Sequence, residues 1–139
     1  MKSWGDIMHK DTYFDSCGKG KIHVCRWEPE GKPRAIVQLV HGIAEYAQRY
    51  APFAEFLTAQ GFLVVAEDHV GHGKSITHLS EKGCIKDGWF AMVKDTYRLL
   101  QHTKQNSRIC PMFFLDIQWA RLWCVRFWRS TRTAESLLV

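Results

Sequence analysis

The sequence predicts an α/β fold with a mostly parallel sheet and flanking helices. Two short apolar runs, Ala35–Val40 and residues 62–66, contain several β-branched residues and lack the polar alternation of a half-exposed strand. Each run is followed by a segment in which apolar residues recur at helical spacing, residues 50–60 and residues 88–105. Buried strands that alternate with amphipathic helices are typical of parallel βαβ units.

The segment before the first buried strand predicts a hairpin at a sheet edge. Residues 13–16 and residues 22–27 flank a Gly-Lys-Gly turn, and residues 22–27 alternate between two faces. Residues 1–11 are polar and are expected to form a loosely held lead-in. Residues 28–34 contain two Pro and one Gly, which predicts a loop.

Both helices are predicted to bury one face. For the first helix, this face is formed by Tyr50, Phe53, Ala54 and Leu57. Gly61 fits the C-terminal end of that helix, because Gly readily adopts the left-handed backbone found there. The second helix is expected to begin after Asp87 and to bury a face formed by Trp89, Val93, Tyr97 and Leu100.

Length, charge and cysteine content limit the class of protein. The 139 residues allow one domain at most, and 46% of them are hydrophobic, which is enough for a core. Residues 1–105 carry 14 Lys+Arg and 12 Asp+Glu (net +2), whereas residues 106–139 carry 5 and 2 (net +3). Five Cys without a C-x-x-C motif predict reduced thiols. With no apolar leader and no long apolar run, we expect a cytoplasmic protein with at most peripheral membrane contact.

A sharp turn follows the first buried strand at His41-Gly42-Ile43. Gly42 lets the backbone turn tightly, because it accepts dihedral angles that other residues resist. In an α/β sheet, ligands bind beyond the carboxyl ends of the strands. A backbone N–H such as that of Ile43 can there face a developing oxyanion. The alternative is an ordinary strand-ending turn.

A second glycine-containing block, EDHVGHGKS, follows the next strand at residues 67–75. Together with VHGIAEYAQRY at residues 40–50, this block resembles the monoglyceride lipase and lysophospholipase group of α/β-hydrolases, which is similar to the serine aminopeptidase-like hydrolases. The resemblance covers roughly residues 12–105 and implies the N-terminal portion of an α/β-hydrolase fold. It implies an oxyanion-hole N–H at Ile43, presented by the turn residues His41 and Gly42. It also implies a structural loop containing Asp68, Gly71, His72, Gly73 and Ser75.

Two other interpretations of the second block are weaker. A phosphate-binding loop requires Gly where Asp68 stands. A metal site would use Glu67, Asp68, His69 and His72, but no defined ligand geometry is predicted for this loop. We therefore expect neither a metal nor a cofactor. Ser16 and Ser75 are not expected to be nucleophiles, because hydroxyls in loops usually bond to nearby backbone groups.

The sequence changes character at Asn106. All ten Gly and every Lys precede it, whereas residues 106–139 hold five Arg and three of the six Trp. In the resembled group, a strand and the nucleophile elbow G-x-S-x-G would come next, and this chain contains no such motif. Residues 1–105 are therefore interpreted as the N-terminal part of the domain and residues 106–139 as a frame-shifted, non-native tail.

The genetic code is compatible with an elbow in the neighbouring reading frame. Permitted codons for residues 115–121 can be read one frame away as Gly-His-Ser-Met-Gly-Ser. The residues whose codons would carry this elbow are Leu115, Asp116, Ile117, Gln118, Trp119 and Ala120. One base lost near codon 106 is sufficient to produce the shift.

The resemblance implies a serine hydrolase that acts on lipid-like carboxylic esters by acyl transfer, with no nucleic-acid partner. In chain order the triad Asp and His follow the Ser, so all three would lie beyond residue 105. The chain is therefore predicted to be inactive. The alternative is a non-catalytic binding module whose Arg- and Trp-rich tail contacts membranes or nucleic acid.

Overall fold

Five strands form one mixed sheet with a helix on each face. The computed structural model describes residues 8–85, 88–106 and 111–117. The strands are β1 (Met8–Asp15), β2 (Lys21–Glu28), β3 (Ala35–Val40), β4 (Phe62–Glu67) and β5 (Met112–Asp116). The helices are α1 (Ala51–Ala59) and α2 (Gly88–Asn106), and short 3₁₀ turns lie at Ala47–Tyr50, Gly73–Ser75 and Leu79–Glu81.

The strand order across the sheet is β1-β2-β4-β3-β5. The β1–β2 and β2–β4 pairs are antiparallel, whereas β3 runs parallel to both β4 and β5. The carboxyl ends of β3, β4 and β5 therefore meet at one edge of the sheet. The predicted α/β class, with flanking helices on a largely parallel core, is confirmed.

The two faces of the sheet are covered by different helices. On the face toward α1, the buried sheet residues Trp27, Leu39 and Val64 form a cluster with Ala54 of the helix. On the opposite face, Val24 and Val65 pack with Leu99 of α2. All six residues of β3 are buried, as expected for a strand covered on both sides.

The first strand is longer than predicted. Residues 8–11, expected to be a lead-in, pair with the far half of β2, where Met8 lies opposite Glu28 and Asp11 lies opposite Cys25. Lys10 forms an ion pair with Glu28 at 3.0 Å. Because β1 is an edge strand with a mostly exposed surface, its sequence carries little of the apolar pattern that reveals a strand.

The buried face of α2 differs from the prediction, whereas the buried face of α1 largely agrees with it. In α2, the predicted residues are only half-buried, and the buried ones are Ala91, Met92, Asp95, Thr96, Leu99 and Thr103. Asp95 accepts hydrogen bonds from the Ser16 hydroxyl (2.5 Å) and the Cys17 N–H (2.6 Å), so distant polar partners rotate the buried stripe. In α1, Ala54 is buried and Leu57 packs against the core with Tyr50, as predicted. Phe53 is exposed and Thr58 is buried, which was not predicted.

Other predictions fall at the ends of these helices. Gly61 follows α1 with a φ of 89°, as predicted for its C-terminal end. Asp87, the predicted N-cap of the second helix, lies outside the described residues. Within the described part of the chain, none of the helices is long and apolar enough to cross a membrane.

The segment interpreted as frame-shifted contributes the last strand. Met112–Asp116 pairs with β3, with Leu115 opposite Leu39 and Asp116 opposite Val40. The edge of β3 is therefore paired. Gln118, Trp119 and Ala120, and the rest of the Arg- and Trp-rich tail, lie outside the described residues.

Candidate active site

Three chain segments meet at the carboxyl edge of the sheet. They are the turn that begins at His41 after β3, the loop that begins at Asp68 after β4, and Asp116-Ile117 at the end of β5. The Ile117 N–H donates a hydrogen bond to the Val40 carbonyl at 3.2 Å, which holds the end of β5 beside the turn.

The His41 ring is neutral, and its hydrogen bonds hold this turn in place. Its Nε2 accepts a hydrogen bond from the His69 backbone N–H at 3.0 Å, so Nε2 carries no proton. Its Nδ1 therefore bears the hydrogen and donates it to the Gly42 carbonyl at 2.8 Å. Burial lowers the pKa of His41 to about 4, which agrees with this neutral tautomer.

Glu45 supports the turn from the other side. Its Oε2 accepts hydrogen bonds from the Gly42 N–H (3.2 Å) and from the Tyr50 hydroxyl. The hydrogen bond from Tyr50 is the main cause that lowers the pKa of Glu45. Ala44, which lies between Gly42 and Glu45, has a φ of 60°, in the left-handed region that a non-glycine residue seldom adopts.

Ile43 stands at the tip of this supported turn. Its side chain is 56% exposed. Its N–H takes part in none of the hydrogen bonds seen among residues 8–85, 88–106 and 111–117. The turn thus presents a backbone donor at the carboxyl edge of the sheet.

A buried pair, Glu67 and His69, lies beneath the turn. His69 Nε2 donates to the His41 carbonyl at 3.2 Å, and His69 Nδ1 lies 3.2 Å from Glu67 Oε1. Burial raises the pKa of Glu67 to about 8 and lowers that of His69 to about 4. The pair is therefore neutral near pH 7, and the protonated carboxyl can donate to His69. Thr96 on α2 contacts the same carboxyl group.

Replacing Glu67 with Gln should remove a pH dependence of stability. The folded-state pKa of Glu67 lies above its unfolded value of about 4.5, so the folded state retains a proton that the unfolded state releases. Stability contributed by the protonated group is complete below pH 4.5 and is lost as the pH rises toward 8, at up to about 1.4 kcal/mol per pH unit. Glu67→Gln keeps the shape and cannot ionise, so its advantage over the wild type should grow from pH 5 to pH 8.

Urea unfolding of both proteins at pH 5, 7 and 9 measures this difference. The exposed Glu55 of α1 provides the control, because Glu55→Gln should leave the pH dependence of the free energy of unfolding unchanged. Parallel pH profiles for the wild type and Glu67→Gln would contradict the assignment of a protonated buried carboxyl.

The loop after β4 is organised by Asp68. Its Oδ1 accepts the Ala47 N–H at 2.6 Å, and its Oδ2 accepts the Lys74 N–H at 2.8 Å and a hydrogen bond from His23 Nδ1 at 2.8 Å. Burial acts to raise the pKa of Asp68, but these hydrogen bonds outweigh burial and hold the pKa below its usual value. Asp68 thus connects its own loop to β2 and to the 3₁₀ turn that precedes α1.

Two glycines allow this loop to pack closely. Gly71 has a φ of 77°, and a Cβ there would overlap the Cys84 carbonyl. Gly73 has a φ of 48°, and a Cβ there would overlap the Asp68 carboxylate. Both positions therefore require glycine for conformation and for space.

Ser75 and His72 make local hydrogen bonds in the loop. The Ser75 hydroxyl donates to the Asp68 carbonyl at 2.6 Å and accepts the His23 N–H at 2.9 Å. His72 Nδ1 lies 3.0 Å from the Val70 carbonyl, and the His72 ring is 5.3 Å from that of His41. The Ser75 hydroxyl is thus bound to the backbone.

The weak metal interpretation of this loop has no support in the described structure. Both oxygens of Asp68 accept N–H groups, and both ring nitrogens of His69 face polar partners of the protein. In the part of the chain that is described, the group of side chains close enough to hold a metal ion lies elsewhere, at His9, Asp11 and Cys25.

Sequence reasoning missed the partners of His23. This fully buried ring lies between two carboxylates, with Nδ1 2.8 Å from Asp68 and Nε2 2.8 Å from Asp11. Burial acts to lower the pKa of His23, but hydrogen bonds to Asp68 and Asp11 outweigh burial and raise the pKa above its usual value. The alternation in β2 places His23 on one face, but nothing local in the sequence indicates two acidic partners at distances of 12 and 45 residues along the chain.

The residues whose codons would carry the elbow begin at this edge. Leu115 and Asp116 end β5 directly beside the His41 turn. Burial lowers the pKa of His69, whereas the negative charge of Asp116 acts to raise it. Of this set, Gln118, Trp119 and Ala120 lie outside the described residues.

The fold of the described residues is that of an α/β-hydrolase. The structure of a thermostable carboxyl esterase from Bacillus coagulans in complex with glycerol matches with a TM-score of 0.70 and 31% identity, over 78% of this chain and 36% of that one. The family model for serine aminopeptidase, S33, matches residues 31–115. The chain belongs to this family.

Curated relatives support the predicted resemblance to the monoglyceride lipase group. Human monoglyceride lipase is 33% identical over 97 residues, which cover 69% of this chain and 31% of the relative. A monoacylglycerol lipase from Mycolicibacterium smegmatis is 51% identical over 62 residues, covering 45% of this chain and 22% of the relative. The chain thus spans about a third of the human protein's length, and less of the bacterial one.

Proposed function

We propose that this chain is the N-terminal part of a serine ester hydrolase of the monoglyceride lipase type, with the Ile43 N–H as one donor of the oxyanion hole. The observation that carries the proposal is the position of this N–H. It lies on a turn held by His41 and Glu45, at the edge where β5 ends, and is not engaged by the described residues.

The reaction in the intact enzyme would be acyl transfer to a serine. The serine attacks the ester carbonyl, a histidine takes the serine proton and returns it to the leaving alcohol, and an aspartate orients the histidine. Two backbone N–H groups stabilise the negative charge that develops on the carbonyl oxygen. The names of the human and mycobacterial relatives support a lipid-like ester as the substrate.

In the intact enzyme, the nucleophile would come directly after β5. The end of this strand, at Leu115 and Asp116, is next to the His41 turn, so a serine on a strand-to-helix turn there would face the Ile43 N–H. The 139 residues contain no G-x-S-x-G motif. We therefore expect the elbow to be encoded one frame away and the chain itself to be inactive.

Inactivity is tested on the purified 139-residue chain. It should show no hydrolysis of a short-chain p-nitrophenyl ester above the uncatalysed rate and no labelling by a fluorophosphonate probe. Esterase activity that is titrated to zero by one equivalent of the probe would overturn this part of the proposal.

The role of Ile43 is tested in a protein with the reading frame restored. Ile43→Pro removes the N–H, and loss of one oxyanion donor should lower kcat by about 10²–10³. Ile43→Ala removes most of the exposed side chain but keeps the N–H, so its kcat should remain close to that of the parent. Circular dichroism and the thermal midpoint of each variant are compared with those of the parent, so that loss of folding is distinguished from loss of the N–H. Equal kcat values for the Pro and Ala variants would contradict the assignment.

The alternative of a binding module is not proposed. It rests on Arg and Trp residues that lie outside the described residues, and the matches to ester hydrolases do not favour it.

A further inference from the structure

Three side chains with metal-binding atoms converge on the β1–β2 hairpin. His9 and Asp11 lie two residues apart on β1 and therefore project from one face of the strand. Cys25 on β2 is the direct cross-strand partner of Asp11. One ligand atom from each residue lies within 4.8 Å of the other two.

Two of the three separations between these atoms are close to those of a tetrahedral site. His9 Nε2 and Cys25 Sγ each lie 3.7 Å from Asp11 Oδ1. Around a zinc ion with bonds of about 2.0–2.3 Å, tetrahedral ligands are separated by about 3.3–3.6 Å. For these two pairs a shift of a few tenths of an ångström would give this spacing, and the ligand atoms of His9 and Cys25 lie within 4.8 Å of each other.

A fourth potential ligand atom lies beside Cys25. Gln48 Oε1, from the 3₁₀ turn before α1, is 3.5 Å from Cys25 Sγ. The donors thus come from three elements of the fold and include a thiol, an imidazole and a carboxylate. This mixture suits a borderline-soft cation and is unlike a solvated acidic cluster.

The site combines a buried anchor with an open side. Cys25 is fully buried, whereas the side chains of His9 and Asp11 are 33% and 36% exposed, which leaves a path from solvent. The His9 ring is 5.2 Å from the ring of the buried Trp27, which limits its orientations. A ligand set with one fixed residue and two accessible ones can bind an ion without unfolding the hairpin.

Neighbouring groups can support a metal-bound carboxylate. Asp11 Oδ1 lies 2.8 Å from His23 Nε2, and Asp11 Oδ2 lies 3.2 Å from Lys74 Nζ. An ionised carboxylate has about four acceptor positions, so it can bind a cation while it keeps such hydrogen bonds. Hydrogen bonds to a ligating carboxylate are a usual feature of metal sites.

We propose that His9, Asp11 and Cys25, with Gln48 Oε1 or a water as the fourth ligand, bind a divalent cation of the zinc type. The ion would cross-link the edge strand β1 to β2 and to the turn before α1. This role is structural and independent of the proposed ester hydrolysis, because neither the oxyanion turn nor a nucleophile contributes a ligand.

Cobalt(II) titration of the purified, reduced chain tests this proposal. A thiolate bound to tetrahedral Co²⁺ should produce a sulfur-to-metal charge-transfer band in the near ultraviolet and intense visible bands, and Zn²⁺ should displace both. Cys25→Ser should abolish the charge-transfer band. Cys84→Ser is the matched control, because Cys84 is exposed and belongs to no group of ligands in the described residues, so its loss should leave the spectrum unchanged.

A second variant covers the case in which the buried Cys25 cannot be replaced without unfolding. His9→Ala changes a half-exposed residue of an edge strand and should weaken Co²⁺ binding at least tenfold, with the far-ultraviolet circular dichroism unchanged. The proposal is overturned if the wild type shows no charge-transfer band with millimolar Co²⁺. It is also overturned if the band survives in folded Cys25→Ser, or if His9→Ala binds Co²⁺ as tightly as the wild type.

Discussion

Insertion of one base after codon 105 of the encoding DNA should convert an inactive chain into an ester hydrolase. A G at this point reads residues 106–115 as Glu-Phe-Pro-Asp-Leu-Pro-Tyr-Val-Phe-Leu with permitted codons, followed by Gly-His-Ser-Met-Gly. This sequence would supply an apolar strand in the place of β5, with its serine at position 118 beside the Ile43 turn. Loss of the nucleophile or its base costs about 10⁶ in kcat in a serine hydrolase, so restoration should raise the rate by several orders of magnitude.

The restored protein is expressed to the next in-frame stop and assayed with a monoacylglycerol and a fluorophosphonate probe. Two controls isolate the elbow. An insertion after codon 121 leaves the elbow out of frame, and replacing the restored serine with alanine removes only the nucleophile. Both should remain inactive. A restored chain that folds but neither reacts with the probe nor exceeds these controls would contradict the proposed enzyme.

Asp68→Ala should cause the largest loss of stability of any single substitution in the loop after β4. It removes the acceptor for the Ala47 N–H, the Lys74 N–H and the buried His23 ring. Hydrogen bonds to a charged group contribute about 1.5–3 kcal/mol each, and buried partners left unpaired add to the cost. We expect the free energy of unfolding to fall by about 3–5 kcal/mol.

Chemical denaturation of the wild type and variants measures this loss. Asp68→Asn keeps one acceptor oxygen and should fall between the wild type and Asp68→Ala. Glu55→Ala, an exposed carboxylate on α1, should change the stability by less than about 0.5 kcal/mol. An Asp68→Ala variant as stable as Glu55→Ala would show that the loop is not organised by this carboxylate.

The elements with local signals could be predicted from the sequence. Ala35–Val40 is the observed β3, because the loop at residues 28–34 marks where the apolar run begins and His41-Gly42 marks where it ends. Gly61 marks the end of α1 through its left-handed backbone. The position of Ile43 at the carboxyl edge of a parallel strand follows from the same local pattern and the general placement of sites in α/β sheets.

The features that depend on distant partners could not be predicted. The buried stripe of α2 contains Asp95 and Thr96, whose partners are Ser16 and Glu67 on other elements. Residues 8–11 join β1 because they pair with β2, and their exposed, mostly polar side chains give no periodic pattern. At the site, the neutral Glu67–His69 pair exists only because folding removes both groups from water.

We propose that this chain is part of a serine hydrolase whose nucleophile elbow lies in the neighbouring frame. The DNA sequence across codons 104–122, read at high depth, tests this proposal. We expect GGA CAT TCA ATG GGC or synonymous codons one frame away, beginning at the last base of the Leu115 codon. Codons that cannot encode Gly-x-Ser-x-Gly in that frame would contradict the claim and would make the Arg- and Trp-rich segment a genuine part of this protein.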